Sequence, residues 1–229
     1  CSAVRDQKVL QKMRDEARKV NTEYADRFGV GESTSITCVK PSGTVSQLVD
    51  ASSGMHPRHA PYYIRRVRIS ATDSLFKMLR DQGVPYHPEN GQTLEDANTF
   101  VLEFPVKAPD GATFKDDLTA IEQLEHWKLV KENFTEHNPS TTISVGPNEW
   151  IRVANWVYEN WDIVGGLSFL PRFDHVYKLA PYEDTDEGTY KELQKRFSDI
   201  DYSKIMTYEQ QDETKGSKEL ACVGGTCEV

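Results

Sequence analysis

The sequence predicts an α/β fold made of strand–helix repeats, arranged as a mostly parallel sheet or barrel. Two observations carry this. Short runs rich in Val, Ile, Thr, Phe and Tyr recur along the chain, and stretches with apolar residues at three- and four-residue steps alternate with them. Pro or Gly punctuates most junctions. Such alternation favours βα units, whose crossover helices bring strands side by side in parallel. With 229 residues, 38% of them hydrophobic, the chain is long enough to bury a sizeable core.

Taken in order, residues 3–28 form the first helix. Val9, Met13, Ala17, Val20, Tyr24 and Phe28 mark its apolar face, and Gly29 its stop. Ser35–Val39 reads as a buried strand, with Cys38 as a small core residue. Pro41–Gln47 is a turn that opens into helix, and residues 51–57 form a polar loop. Tyr62–Ser70 is a second strand. Ile64, Arg66 and Arg68 share one face, and Tyr63, Arg65, Val67 and Ile69 the other. A helix over 73–82 groups Leu75, Phe76 and Leu79 on one face and stops at Gly83, and Pro105 ends a third strand at 99–104. A long helix over 117–135 carries Leu118, Ile121, Leu124, Trp127, Val130 and Phe134. A fourth strand follows at 141–145, then a helix over 148–161 that groups Trp150, Ala154, Val157 and Trp161, then a fifth strand at 167–170. Past Tyr182 acidic residues dominate. A helix over 188–197 rests on Tyr190, Leu193 and Phe197, and the stretch from Tyr208 to Glu219 has the composition of a mobile linker.

Composition excludes several function classes. The net charge of −9 disfavours DNA, RNA or an anionic membrane surface as a partner for the whole chain. No apolar run approaches the roughly 18 residues of a membrane span, and no charged-then-apolar leader is present. Four cysteines, two of them isolated, do not make a secreted disulfide scaffold, so a cytoplasmic protein is expected. The chain opens on Cys1 and enters helix at once, which suggests the C-terminal piece of something longer.

Two stretches carry candidate chemistry. In Pro41-Ser42-Gly43-Thr44-Val45-Ser46 an expected strand exit, a Gly-containing turn and a helix start aim backbone N–H groups at one point. Such a point suits phosphate, and the hydroxyls of Ser42, Thr44 and Ser46 add donors. The competing reading is a Ser/Gly/Thr turn that merely caps a helix. The second stretch is the terminal Cys222-Val-Gly-Gly-Thr-Cys227. Two thiols on a Gly-rich tether can close into a disulfide and reopen, as thiol–disulfide exchange requires. Half of a zinc site and an incidental pair are the alternatives. His56 and His59 are candidate substrate or cofactor contacts, against ordinary loop histidines. Arg65, Arg66 and Arg68 could form a nucleic-acid or phosphate patch, but alternation puts them on both faces and favours at least one pairing with a carboxylate. No catalytic triad, carboxylate pair or metal-ligand spacing stands out.

These motifs, in order, resemble the adenosylcobalamin-dependent (class II) ribonucleotide reductases, and within them the type that reduces ribonucleoside triphosphates. The likeness is carried by Lys40–Gln47, Gly54-Met-His-Pro57, Tyr62–Val67, Leu102–Val106, His137–Thr141, Trp156–Asn160, Leu167–Pro171, Ala180–Glu183 and the terminal Cys-x4-Cys. It implies the C-terminal part of a ten-stranded α/β barrel over residues 1–200 and a flexible redox tail over 201–229. It implies reduction of ribonucleotides to 2′-deoxyribonucleotides through a cobalamin-initiated thiyl radical, with adenosylcobalamin as cofactor. Pro41 to Ser46 would bind the substrate's phosphates. Cys222 and Cys227 would re-reduce an active-site disulfide and pass electrons from a thioredoxin-type partner. The family's Asn-x-Cys-x-Glu finger loop, which holds the thiyl Cys, is absent from this sequence. The missing N-terminal part of the enzyme is therefore an expected partner. Two readings stand against this one: a non-catalytic nucleotide-phosphate-binding module, and a small zinc-binding interaction module.

Overall fold

The computed structural model describes residues 2–42, 45–172 and 178–209. Gly43, Thr44, Cys222, Cys227 and the 210–229 tail, all named above, lie outside the described residues. The fold is mixed α/β, and contacts divide it into two compact units. One comprises the described parts of Cys1–Arg58 and Ala112–His175, the other those of His59–Gly111 and Val176–Val229.

In the first unit, helix α1 (Gln7–Phe28) starts where Asp6 accepts from the Lys8 and Val9 amides. It stops at Gly29 in the left-handed conformation, whose amide donates to the Ala25 and Asp26 carbonyls. Its buried face is Leu10 and Ala25, turned away from the stripe the spacing suggested. Met13, Val20, Tyr24 and Phe28 are exposed instead. Polar residues explain the choice. Gln11 donates to Asn133 at 2.8 Å and Arg14 to the Glu132 carbonyl at 3.0 Å, so the end of helix α4 (Ala120–Asn133) is gripped by one edge of α1. After a short helix α2 (Val45–Leu48) the chain leaves this unit and returns at residue 112. Helix α4 begins three residues later than expected, because Thr119 and Glu122 form a capping box. It buries Ala120, Leu124, Trp127 and Val130, and the Trp127 indole donates to the Pro139 carbonyl at 2.9 Å.

Strands β4 (Thr142–Val145) and β5 (Ser168–Pro171) pair in parallel and are joined through helix α5 (Trp150–Glu159), a compact βαβ unit. Here α5 buries Val153 and Trp156. Trp150 and Trp161, expected on the core face, are 41% and 69% exposed. Arg152, Asn155 and Glu159 mark a polar stripe, but the apolar residues around the rest of the helix are more than this chain covers, so periodicity did not choose which of them face inward.

In the second unit, β1 (Tyr62–Ser70) occupies the span the sequence indicated. Helix α3 (Ser74–Asp81), β2 (Tyr86–Pro88) and β3 (Thr99–Lys107) follow, then β6 (Tyr182–Asp184), α6 (Glu187–Ser198) and α7 (Ile205–Tyr208). The sheet order is β2-β3-β1-β6 and every pairing is antiparallel, which corrects the mostly parallel expectation. The alternation misled for a definable reason. β1 and β2, linked by α3, do run parallel, but β3 inserts between them and opposes both. Pro105 does not end β3. It faces Ile64 of β1, while β2 covers only Phe100 to Leu102 on the other edge, so its missing N–H leaves no partner unsatisfied there. The core is Phe76, Met78, Leu79, Val84, Phe100 and Leu102, with Ile200 against it.

Candidate functional site

Residues 35–40 do not form a strand, which corrects the expected 35–39 element. Their backbone is held by the 134–140 segment instead. The Glu136 carboxylate accepts from the Ile36 amide at 2.6 Å, the Thr37 carbonyl accepts from the Glu136 amide at 2.9 Å, and the Val39 carbonyl accepts from Ser140 at 3.2 Å. Arg18 pairs with the same carboxylate at 2.5 Å. These donors, the Ile36 amide first and then Arg18 and Thr37, hold the Glu136 carboxyl below the usual carboxylate range. Cys38, expected in the core, is exposed.

The segment delivers the chain to Pro41 and the turn. Of its six candidate residues, Pro41, Ser42, Val45 and Ser46 are described. The Ser42 hydroxyl accepts from the Ser46 amide at 2.9 Å, and the Ser46 hydroxyl, on a buried side chain, donates back to the Ser42 carbonyl at 2.5 Å. This reciprocal pair ties Ser42 to Ser46. The Ser42 amide is in turn held by the Ser53 hydroxyl at 2.8 Å. Two of the donors the sequence offered for phosphate thus shape the turn itself.

Residues 50–58 brace the turn from behind. Gly54 adopts φ +55°, and a Cβ there would lie 2.9 Å from the Lys40 carbonyl oxygen, so glycine alone lets the loop close against the chain at Lys40. His56 engages both ring nitrogens with backbone. Nδ1 lies 2.7 Å from the Ser53 carbonyl, and Nε2 accepts the Thr142 amide at 2.9 Å. Burial pushes the His56 ring below its ordinary pKa, with the Ser53 carbonyl opposing. Arg58 closes the loop. Its side chain is 3% exposed, its guanidinium meets Asp50 at 2.6 Å, and its backbone bonds Thr113 and Lys115.

The sequence had not singled out Ser53, Arg58 or Thr142. The only signal was the turn-rich composition of 51–57, because partners 86 residues apart, such as His56 and Thr142, share no local pattern. His59 falls in the other unit, 2.6 Å from Asp184 and against the Tyr182 ring. Two arginines of β1, Arg66 and Arg68, pair with carboxylates, in keeping with the expectation that at least one would. Arg66 meets Glu103 at 2.8 Å and Glu183 at 2.6 Å, and Arg68 meets Glu89. They also hold the chain at 179–180, Arg66 through the Ala180 carbonyl and Arg68 through that of Leu179. Among the described residues no group of His, Cys, Asp and Glu could hold a metal ion. Nor is any of their helices long and apolar enough to cross a membrane.

No family model matches the chain. It is 32% identical over 213 residues to the adenosylcobalamin-dependent ribonucleoside-triphosphate reductase of Lactobacillus acidophilus, covering 90% of this chain and 28% of that protein. It is 30% identical over 191 residues to a probable adenosylcobalamin-dependent ribonucleoside-triphosphate reductase of Dictyostelium discoideum, covering 82% of this chain and 25% of that one. Its fold matches a crystal structure of a B12-dependent (class II) ribonucleotide reductase with a TM-score of 0.72 and 26% identity, over 91% of this chain and 29% of that chain. The resemblance read from the motifs therefore extends over nearly the whole chain, in sequence and in fold. The chain spans between a quarter and a third of the length of the relatives it matches.

Proposed function

We propose that this chain serves ribonucleotide reduction as the C-terminal part of a class II reductase, acting on ribonucleoside triphosphates. The observation that carries this is the 32% identity over 213 residues, 90% of this chain, to a reductase of that type. In this reading the β4–β5 pair belongs to a ten-stranded barrel, residues 1–200 are its C-terminal half, and 201–229 form the redox tail. The turn from Pro41 to Ser46 receives the substrate's phosphates. Ser42 and Ser46 are tied to each other and to the brace behind them, which would hold groups that meet phosphate with little reorganisation. Cys222 and Cys227 shuttle electrons from a thioredoxin-type partner, and the thiyl Cys comes from the rest of the enzyme.

Adenosylcobalamin would supply the radical that starts the reaction. No residue described here is assigned to holding it. His56, one candidate contact, has both ring nitrogens engaged by backbone. What these residues do is bind and orient the substrate's phosphates so that the ribose is presented to chemistry supplied elsewhere.

Calorimetric titration of the chain with a ribonucleoside triphosphate, and separately with the matching nucleoside, tests the turn. Binding that requires the phosphates and is lost in Gly43→Val supports the reading. Equal affinity for the nucleoside would turn it down. For the tail, rapid reduction of an oxidised Cys222–Cys227 pair by thioredoxin is expected, abolished in Cys222→Ser and in Cys227→Ser. Stoichiometric zinc retained by the two thiols would favour the interaction-module reading instead.

A further inference from the structure

The edge of β4 that faces away from β5 is finished in an unusual way. The Thr141 and Val145 carbonyls accept from Ser168 and Arg172, so the odd-numbered residues of this stretch point to β5 and the even-numbered amides point to the opposite edge. Along that edge the amide of Ser140 donates to the Val39 carbonyl at 3.2 Å. The next, Thr142, donates to His56 Nε2 at 2.9 Å, and the next, Ser144, to the Gln123 side-chain carbonyl at 3.1 Å. The row begins with backbone and continues with side chains.

His56 is the member of this row that reaches the turn. Its tautomer is dictated by its partners. Nε2 accepts an N–H and so carries no proton, and Nδ1, facing a carbonyl, must carry one. From there the path is covalently and geometrically short. The same Ser53 whose carbonyl accepts from the ring holds the Ser42 amide with its hydroxyl at 2.8 Å, and Ser42 closes on Ser46.

We propose that His56 is a positioning residue: its neutral Nδ1–H ring bridges the Thr142 amide of β4 to the Ser53 carbonyl and so fixes Ser42 and, through it, Ser46. It touches neither substrate nor cofactor, which sets it apart from the contact role its place in the sequence suggested. An imidazolium could not serve, because a second ring N–H would oppose that of Thr142. An amide side chain of suitable length could, since it offers one donor and one acceptor. The value of the bridge to phosphate binding rests on the reading of the turn given above. The bridge itself does not.

The test uses the 229-residue chain and two separate readouts. The first is the imidazole nitrogen spectrum at neutral pH, with a through-bond coupling sought between the Thr142 amide and His56 Nε2. A protonated Nδ1 and a bare Nε2, with the coupling present, are expected. A ring protonated on Nε2 would overturn the proposal. The second compares the Ser42 and Ser46 amide signals in wild type, His56→Ala and His56→Gln. Both signals should move and exchange faster with solvent in His56→Ala and return towards wild type in His56→Gln. Unmoved signals in His56→Ala, in a chain that keeps its other resonances, would also overturn it. Inorganic tripolyphosphate then probes the turn, with affinity expected to fall about tenfold in His56→Ala and to recover in His56→Gln. If wild type does not bind tripolyphosphate, the phosphate reading fails while the amide signals still decide the bridge.

Discussion

Gly54 shows how tightly a single residue can be specified. Two described glycines make an internal control, since Gly54 and Gly29 both have positive φ, at +55° and +65°, but only Gly54 has an atom in the way. Gly29→Ala should cost about 1 kcal/mol, the strain of placing a side chain in the left-handed region. Gly54→Ala adds a clash with the Lys40 carbonyl oxygen, so its loss should reach roughly 2–3 kcal/mol. Thermal unfolding of the two variants measures the difference, and equal melting temperatures would remove the close approach as a cause. At this scale the sequence was partly legible. Gly29 was readable as a helix stop because its signal is local. The need for glycine at 54 was not, because it arises from a carbonyl fourteen residues earlier that no spacing rule connects to it.

Elements were most legible where one face alone was apolar and least where several were. β1 was readable as a run of aromatic and β-branched residues bounded by turn residues, although both faces carry arginine, and Arg66 finds Glu103 directly across the strand pair. α1 and α5 were misjudged in orientation. Each has more apolar surface than its neighbours in this chain cover, and pattern reports what a residue is, not what stands opposite it. The expected strand at 35–39 failed for the converse reason: its backbone found side-chain and loop partners rather than a ladder. The Glu136 anchor of that segment makes a prediction about acid. Its carboxyl is held below the ordinary value near 4.3, so the folded state takes up this proton less readily than the unfolded chain. The stabilisation is present above that ordinary value and is lost as pH falls through the lower, folded one. Glu136→Gln should therefore lower stability at neutral pH and flatten the acid limb of the stability profile. Denaturant melts of both proteins across pH 2–7 would show this, and parallel profiles would refute it.

At the scale of the molecule, the resemblance was more legible than the architecture. Ordered short motifs survive where sheet topology cannot be read, because they mark turns and strand ends whose residue types are locally constrained. The antiparallel sheet lay beyond such signals, since inserting β3 between β1 and β2 depends on pairing across the chain. Cys222 and Cys227 lie outside the described residues, so the part proposed for them rests on the sequence alone. Two outcomes are expected for the 229-residue chain by itself. With adenosylcobalamin and a dithiol it should form no deoxynucleotide, since the finger-loop motif with the thiyl Cys is absent from it. A measurable product would refute the division of labour proposed here. It should also self-associate, through exposed apolar residues such as Phe28, Ile151, Tyr158 and Trp161. Sedimentation of a monodisperse monomer at micromolar concentration would count against that.

The mixed edge of β4 has a consequence in time. Ile143 and Val145 point their amides at the β5 backbone, whereas Thr142 and Ser144 depend on the rings and amides of His56 and Gln123. A backbone partner leaves only when the strands part, but a side chain leaves by turning about its own bonds. Neighbouring residues of one short strand should thus trade their hydrogens for deuterium at alternating rates, fast at 142 and 144 and slow at 143 and 145.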